Sequence, residues 1–445
     1  MDIRVAKAHS DSLNRPDRAE VASRFDMTLI SSQSIEVLQP ERLAQVVVPG
    51  LYVHIPFCFH KCHYCDFYSI TRQTSDRMSR FVDLILFEAD AWTPGRSAPR
   101  IVPQTIFFGG GTPSLLPLDQ MSRLIIGLTR RFDLTSSHEW TVEVNPATAD
   151  RDYCAMLKSH GVTRLSFGAQ SFDKAELALL ERHHAPPDVL RSIELARDAG
   201  FERLNVDLIY AIPGQTLASY QQSLDRALSL GTTHLSCYEL TYEPNTPLTV
   251  RKRLGQFRAA DEPLVLEMMR HTRQHLSAAG LPAYEISNYA TPGQECRHNL
   301  LYWHGGDYIG LGPSAASHVQ GTRWRNRPHL GEWEQSILAG KLPATDIEHL
   351  TPTVRAGELA MLMLRLSEGI DFVGFTARTH CDPRALWPEL IEKLTAAGLL
   401  IDTGRSIRLT DRGFEVADSI AGEFLLSAGA HGTIASFAPD RTSAT

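Results

Sequence analysis

No run of apolar residues in this chain reaches the ~18 that a membrane-spanning helix needs, and the N-terminal residues hold no apolar core of a secretory signal. An excess of basic charge is missing too. The formal charge is −7 over 445 residues, which argues against a general nucleic-acid coat. Charged residues are 21% against 43% hydrophobic, so the composition is that of a globular protein and not of a disordered or fibrous one. Cysteine is scarce and odd in number: seven in all, three of them within eight residues. That pattern does not make a disulfide framework; in a long cytosolic chain it points to metal binding or redox chemistry. The expectation is a cytoplasmic protein with no transmembrane segment and no nucleic-acid partner, long enough for two or three domains.

Residues 1–46 carry scattered charge, Ser and Gln without periodicity and read as a poorly ordered extension. From Val47 onward, short apolar or β-branched runs (47–55, 105–110, 140–145, 164–170, 203–210, 234–240) alternate with amphipathic stretches near 74–92, 117–131, 149–159, 186–199 and 216–230. Strand, helix, strand at this spacing predicts βαβ units with right-handed crossovers and a parallel sheet. The fold class is α/β: six such strands suit a partial, TIM-like (β/α)6 barrel, with a doubly wound sheet as the alternative. A further helix is expected over 261–280, and 282–326 reads as short strands with turns. This core should occupy 47–340. Past the break in "GKLPATDIEHLTP", residues 341–428 read as a winged-helix-like α+β domain, with helices over 353–368 and 384–397 and a two-stranded wing; 429–445 read as a disordered tail. The wing sets Arg405, Arg408 and Arg412 against Asp402 and Asp411, a balance suited to packing or docking and not to DNA.

The chemistry concentrates in "YVHIPFCFHKCHYCDFYS", Tyr52 to Ser69. Cys58-x3-Cys62-x2-Cys65 can be read four ways. A structural zinc site needs four ligands, commonly as two separated pairs, and would have to recruit His60 or His63. Cys62 and Cys65 have the spacing of a thioredoxin-like redox pair, which leaves Cys58 unexplained. Covalent c-type haem attachment needs His after the second Cys, and position 66 is Asp. Three thiolates can also hold a [4Fe–4S] cluster, which ordinarily takes four, leaving one iron open to another molecule.

Other motifs sit at the ends of the expected strands, where parallel α/β folds build their sites. "FFGGGTP" (107–113) is a tight turn or a place where bare backbone approaches a ligand; without a following Lys it is no phosphate loop. Glu143 in "EVNP" is a capping carboxylate or a ligand-contacting acid. "GLGPSAASH" (310–318) has the form of a dinucleotide fingerprint but is interrupted by Pro313. In "CRHNLLYW", His298 is either an axial imidazole, with Tyr302 and Trp303 giving flat apolar surface for a porphyrin, or a histidine bonded within the turn. The pairs His183/His184 and His271/His275 read as packing or solvent-facing.

The cysteine spacing after the first strand, with an aromatic residue before the last cysteine, resembles the radical S-adenosylmethionine superfamily. That resemblance implies a [4Fe–4S] cluster on Cys58, Cys62 and Cys65, S-adenosylmethionine on the open iron, and reductive cleavage of its sulfonium to a 5′-deoxyadenosyl radical. Within the superfamily, "YVHIPFC", "GGGTP", "GAQSFD", "DLIYAIPGQT" and the winged tail, spanning 47–425, resemble the oxygen-independent coproporphyrinogen III oxidase group. It implies that Tyr52, Gly110, Glu143 and Ala316 contact the cluster-bound S-adenosylmethionine. Tyr64, Gly111, Thr112, Gln170, Arg182, Asp207 and Glu239 match contacts of a second one, although Glu239 replaces a small residue there. The oxidases have a further cysteine two places after Cys65, where this chain has Phe67. That departure and the His-Asn-x-x-Tyr-Trp run at 298–303 resemble the HemW haem-chaperone branch. The branch implies haem as a ligand, with His298 as its candidate iron ligand, and a haem-accepting protein, respiratory or haem-storing, as partner. The alternatives are radical decarboxylation of coproporphyrinogen III propionates to vinyls and a radical methyltransferase.

Overall fold

The computed structural model describes residues 46–92, 100–134 and 137–429. The expected extension, apart from residue 46, and the tail from 430 on lie outside the described residues.

Six parallel strands run in chain order: β1 (Val47–Ile55), β2 (Arg100–Gly110), β3 (Glu139–Val144), β4 (Arg164–Gln170), β5 (Arg203–Tyr210) and β6 (His234–Glu239). The order never reverses, which rules out the doubly wound alternative, because that architecture needs a switch point. β6 ends the parallel series against antiparallel β7 (Asn288–Ala290) and not against β1, so the barrel is partial. On its other side β1 pairs in parallel with β8 (Tyr308–Leu311). Antiparallel β9 (Ala316–Val319), β10 (Thr322–Asn326) and β11 (Ala344–His349) then extend the sheet to eleven strands.

Each strand divides its residues between two faces, as the pleat requires. Leu51, Val53, Ile55, Ile106, Phe108 and Val142 are buried in one core with the helices that cover the sheet. Ser75–Asp90 is typical of these helices: the Thr74 side chain caps it by accepting from Arg77 N–H, and Met78, Phe81, Val82, Ile85 and Ala89 recur on its buried face. In its last turn Glu88 is buried and accepts from Gly312 N–H (2.8 Å), Asn326 Nδ2 (2.6 Å) and Trp333 Nε1 (3.0 Å). One carboxylate thereby ties the helical layer to the strands beyond β8. Burial raises its pKa to about 7.

The region 282–326 departs from expectation. It holds the helix Arg297–Trp303 as well as short strands. Helices Lys174–Leu179 and Pro247–Arg253 are two short additions at the ends of β4 and β6. β11 pairs with β10, so the main sheet continues past residue 340, and the C-terminal part starts after His349. There the helix expected over 353–368 is Pro352–Met363, because the chain turns to form β12 (Ile370–Asp371). β12 joins the wing strands β13 (Leu400–Asp402) and β14 (Ser406–Leu409) in a small sheet. Helix Phe372–Thr379 also was not expected. Phe375, Trp387, Ile407 and Phe424 belong to a second apolar core. It docks through Ser367, whose N–H and hydroxyl reach Tyr284 O (3.0 Å) and Ala283 O (2.8 Å).

Candidate functional site

β1 delivers the cysteines. Past Ile55, the N–H of Ile70 donates to Pro56 O (2.7 Å) and that of Cys58 to Ile70 O (2.9 Å), closing 56–70 into a loop. Buried Phe57 anchors its base edge-on to Phe81, 5.0 Å between centroids. The glycine segment after β2 lies along this base: Gly111 N–H donates to Ile55 O (2.9 Å) and Thr112 N–H to Phe57 O (2.7 Å). A Cβ on Gly111 would stand 2.8–2.9 Å from the backbone of Ile55, Pro56 and Phe57, so only glycine permits the approach.

Cys58, Cys62 and Cys65 are all free and half-buried. Cys58 Sγ lies 3.7 Å from Thr112 Oγ1, and Arg182 Nη1 donates to Cys62 Sγ at 3.6 Å. Burial pushes the Cys58 thiol up and the Cys65 thiol to about 11. The three sulfurs do not converge within 4.8 Å as ligands of one small ion; among the described residues, only His60, His63 and Glu181 do. Three separated thiols on one loop suit a polynuclear centre better than a single zinc. The other cysteines do not supplement them: Cys154, Cys237 and Cys296 are buried, and Cys381 belongs to the C-terminal part. Phe67 is 68% exposed.

The concave face of the sheet carries the remaining residues. Tyr52 and His54 are successive residues on that face of β1. His54 Nε2 bonds to Tyr68 O (2.9 Å) and must carry the proton; its Nδ1 then accepts from Tyr52 Oη (3.1 Å). Burial lowers His54 to about 4, so it is neutral. Gly110, at φ +106°, lies so close to this ring that a Cβ would reach it at 2.4 Å. Gly110 N–H donates to Glu143 Oε2 (3.3 Å). Burial first, and Asp207 second, raise Glu143 to about 8. Asp207 is itself pushed up by burial while accepting from Ser166 (3.2 Å) and Asn205 (2.7 Å). Arg182 is fixed by Gly168 O, and its Nε is buried with no partner. Gln170 ends β4 in the left-handed region, φ 66°, a conformation that costs about 1 kcal/mol or more. Tyr64 is half-buried, with Arg182 and Asp207 in its field. Ala316 and Glu239 are exposed at the two flanks.

His298 differs from its expected role. It is fully buried; Nδ1 bonds to Thr105 Oγ1 (2.9 Å), Nε2 bonds to Tyr302 Oη (2.8 Å), and the ring stacks on Phe107 at 5.3 Å. Burial holds it neutral, at about 3. With both nitrogens used, it is a packing histidine in this arrangement and has no free position for an iron. Its helix is placed by Glu139, a buried carboxylate at the start of β3. Glu139 accepts from the N–H groups of Arg297 (3.1 Å) and His298 (3.0 Å) and pairs with Arg203 at 2.9 Å.

Several residues of this face escaped sequence reasoning: His54, Arg164, Asn205, His234 and Ser236 are all buried polar groups. Asn205 Nδ2 reaches Ser166 (2.7 Å) and Ser236 (3.0 Å), and His234 bridges Asn205 (2.6 Å) to Tyr284 (2.9 Å). A signal was present. Parallel strands covered on both faces read as continuous apolar runs, yet here every second residue is polar: Tyr52/His54, Glu139/Thr141/Glu143, Arg164/Ser166, Asn205/Asp207 and His234/Ser236.

Comparison with known proteins accords with this site. Residues 52–227 match the model of the radical SAM superfamily, and 350–416 match the HemN C-terminal domain. The chain is 32% identical to the heme chaperone HemW of Lactococcus lactis, over 84% of this chain and 97% of that protein. It is 35% identical to the heme chaperone HemW of Escherichia coli, over 84% of this chain and 98% of that one. Among solved structures, coproporphyrinogen III oxidase (HemN) from Escherichia coli superposes with a TM-score of 0.76 at 22% identity, covering 88% of this chain and 93% of that chain, a likeness of fold. By its cysteine loop, its partial barrel and its identity with these relatives, the chain belongs to the HemW haem-chaperone family of the radical SAM superfamily.

Proposed function

We propose that the chain binds a [4Fe–4S] cluster through Cys58, Cys62 and Cys65, binds S-adenosylmethionine at the open iron, and carries haem to an acceptor protein in the cytoplasm. The observation that carries this reading is the three-thiol loop, locked by Gly111 and Thr112, with exposed Phe67 at the position where the oxidases have a further cysteine. A donor set of three thiols fits a cubane with one open iron, and Arg182 stands beside it, its Nη1 3.6 Å from Cys62 Sγ and its buried Nε without a hydrogen-bond partner. When bound, the cluster would supply one electron to the sulfonium of S-adenosylmethionine. The protein's residues do the rest. Gly110 and Gly111 bring bare backbone to the ligand, Tyr52 and neutral His54 form one wall, and Glu143 offers a carboxylate to the cationic cofactor. Among the described residues no helix is long and apolar enough to cross a membrane.

The test is anaerobic: the cluster-loaded protein receives S-adenosylmethionine and reductant, then haem or coproporphyrinogen III in separate samples. Stoichiometric haem binding without a vinyl product is the expected result. Turnover to protoporphyrinogen would establish the oxidase reading instead.

Glu143 makes binding of S-adenosylmethionine pH-dependent. Its pKa of about 8 without ligand means that a proton must leave before the carboxylate can face a cation. Affinity should therefore rise with pH by up to about tenfold per unit below ~8 and level off above it. Equilibrium dialysis between about pH 6.5 and 8.5 reads this slope, and Glu143→Gln should flatten it. His298→Ala should lower the denaturation midpoint, costing roughly 1–3 kcal/mol for the Thr105 and Tyr302 bonds it breaks. It should leave the haem spectrum unchanged; a shifted Soret band would mean that the helix opens to deliver the imidazole.

A further inference from the structure

The rim of the cysteine loop carries a group that none of the chemistry above uses. His60 Nε2 lies 3.6 Å from Glu181 Oε2, and His63 Nε2 lies 3.9 Å from Glu181 Oε1. The three ligand atoms fall within 4.8 Å of one another. Both gaps exceed the ~2.7–3.2 Å of a hydrogen bond, and His60 Nε2 is shielded from solvent without a hydrogen-bond partner. Two ligands each about 2.0–2.2 Å from a tetrahedral ion stand roughly 3.4 Å apart, close to the spacing found. We propose that His60, His63 and Glu181 form a binding site for a divalent transition-metal ion of the zinc type, separate from the three thiols.

The positions are set by backbone and packing, not by the ion alone. His63 N–H donates to Leu180 O (3.4 Å), which holds the loop against the residue preceding Glu181. His60 lies edge-on to His183, 4.6 Å between centroids. Two neutral imidazoles and one carboxylate leave the ion a single net positive charge, and the side chains of His60 and Glu181, each more than a third exposed, leave its fourth position to water. Arg251 Nη1 is 3.5 Å from His63 Nδ1. Metal at Nε2 keeps the proton on Nδ1, so Arg251 must turn aside, and Arg251→Ala should tighten binding.

The experiment adds Zn2+ to the cluster-loaded chain and measures zinc and iron together by elemental analysis after desalting. One zinc per chain with iron unchanged is expected, and His60→Ala/His63→Ala or Glu181→Gln should weaken it at least about tenfold. Zinc uptake equal in wild type and variants, or uptake only as iron is lost to the cysteines, would overturn the proposal. A second readout needs no variants: modification of the cluster-loaded chain by diethyl pyrocarbonate, mapped by peptide mass spectrometry. Zn2+ should protect His60 and His63 while exposed His380 reacts as before. Equal reaction at all three with and without Zn2+ would likewise overturn it.

Discussion

Replacing Cys58, Cys62 or Cys65 singly by alanine is expected to give protein that folds but remains colourless after anaerobic reconstitution, with iron and sulfide near zero. The effect should be nearly complete because three thiols are the whole donor set; a cubane on two loses the geometry that holds it. The fold should survive. The three side chains are half-buried and lie outside the apolar cores, and the loop is held by backbone bonds of Ile70, Gly111 and Thr112 that alanine leaves in place. Cys154→Ala, in a buried helix face far from the loop in sequence, is the matched control and should keep its full iron. Iron and sulfide retained in all three loop variants would remove the basis of the functional reading. Far-ultraviolet circular dichroism on the same samples separates loss of cluster from loss of structure.

Glu139→Ala should have the largest effect on stability. The carboxylate is fully buried, pairs with Arg203, and is the acceptor for two N–H groups at the start of the helix Arg297–Trp303. Removing one partner of a buried pair typically costs about 3–5 kcal/mol, because the remaining charge is left without compensation. Loss of the cap adds about 1 kcal/mol. The denaturant midpoint should fall accordingly, and Glu139→Gln, which keeps one acceptor oxygen but not the charge, should fall in between. A cost below about 1 kcal/mol would mean that water readily replaces the carboxylate.

Glu139 also shows where reading the sequence stopped. The six strands and their covering helices were legible because short apolar or β-branched runs alternate with amphipathic stretches, a local property of segments such as Glu139–Val144 and Ser75–Asp90. The cysteine loop was legible because its three thiols lie within eight residues. The helix Arg297–Trp303 was not: seven residues give under two turns, its buried residue is His298, and its capping acid lies 158 positions upstream of Arg297. For the same reason His298 invited assignment as an iron ligand. Its partner Thr105 is 193 residues away, and no local pattern marks that both of its nitrogens are taken. The group of His60, His63 and Glu181 depends equally on chain reversal, since the short helix Lys174–Leu179 brings Glu181 back to the loop.

The position of β1 has a consequence for how the chain must be made. Among the described residues the earliest strand in the chain, β1, lies in the interior of the sheet, between β2 and β8, and β8 begins only at Tyr308. Until then one edge of β1 has its N–H and C=O groups open, next to the loop with three thiols. An unpaired apolar edge invites pairing with a neighbouring nascent chain. Slowed translation between residues 60 and 300 should therefore increase aggregation more than the same delay after 350, by when β8 and β11 have closed that side.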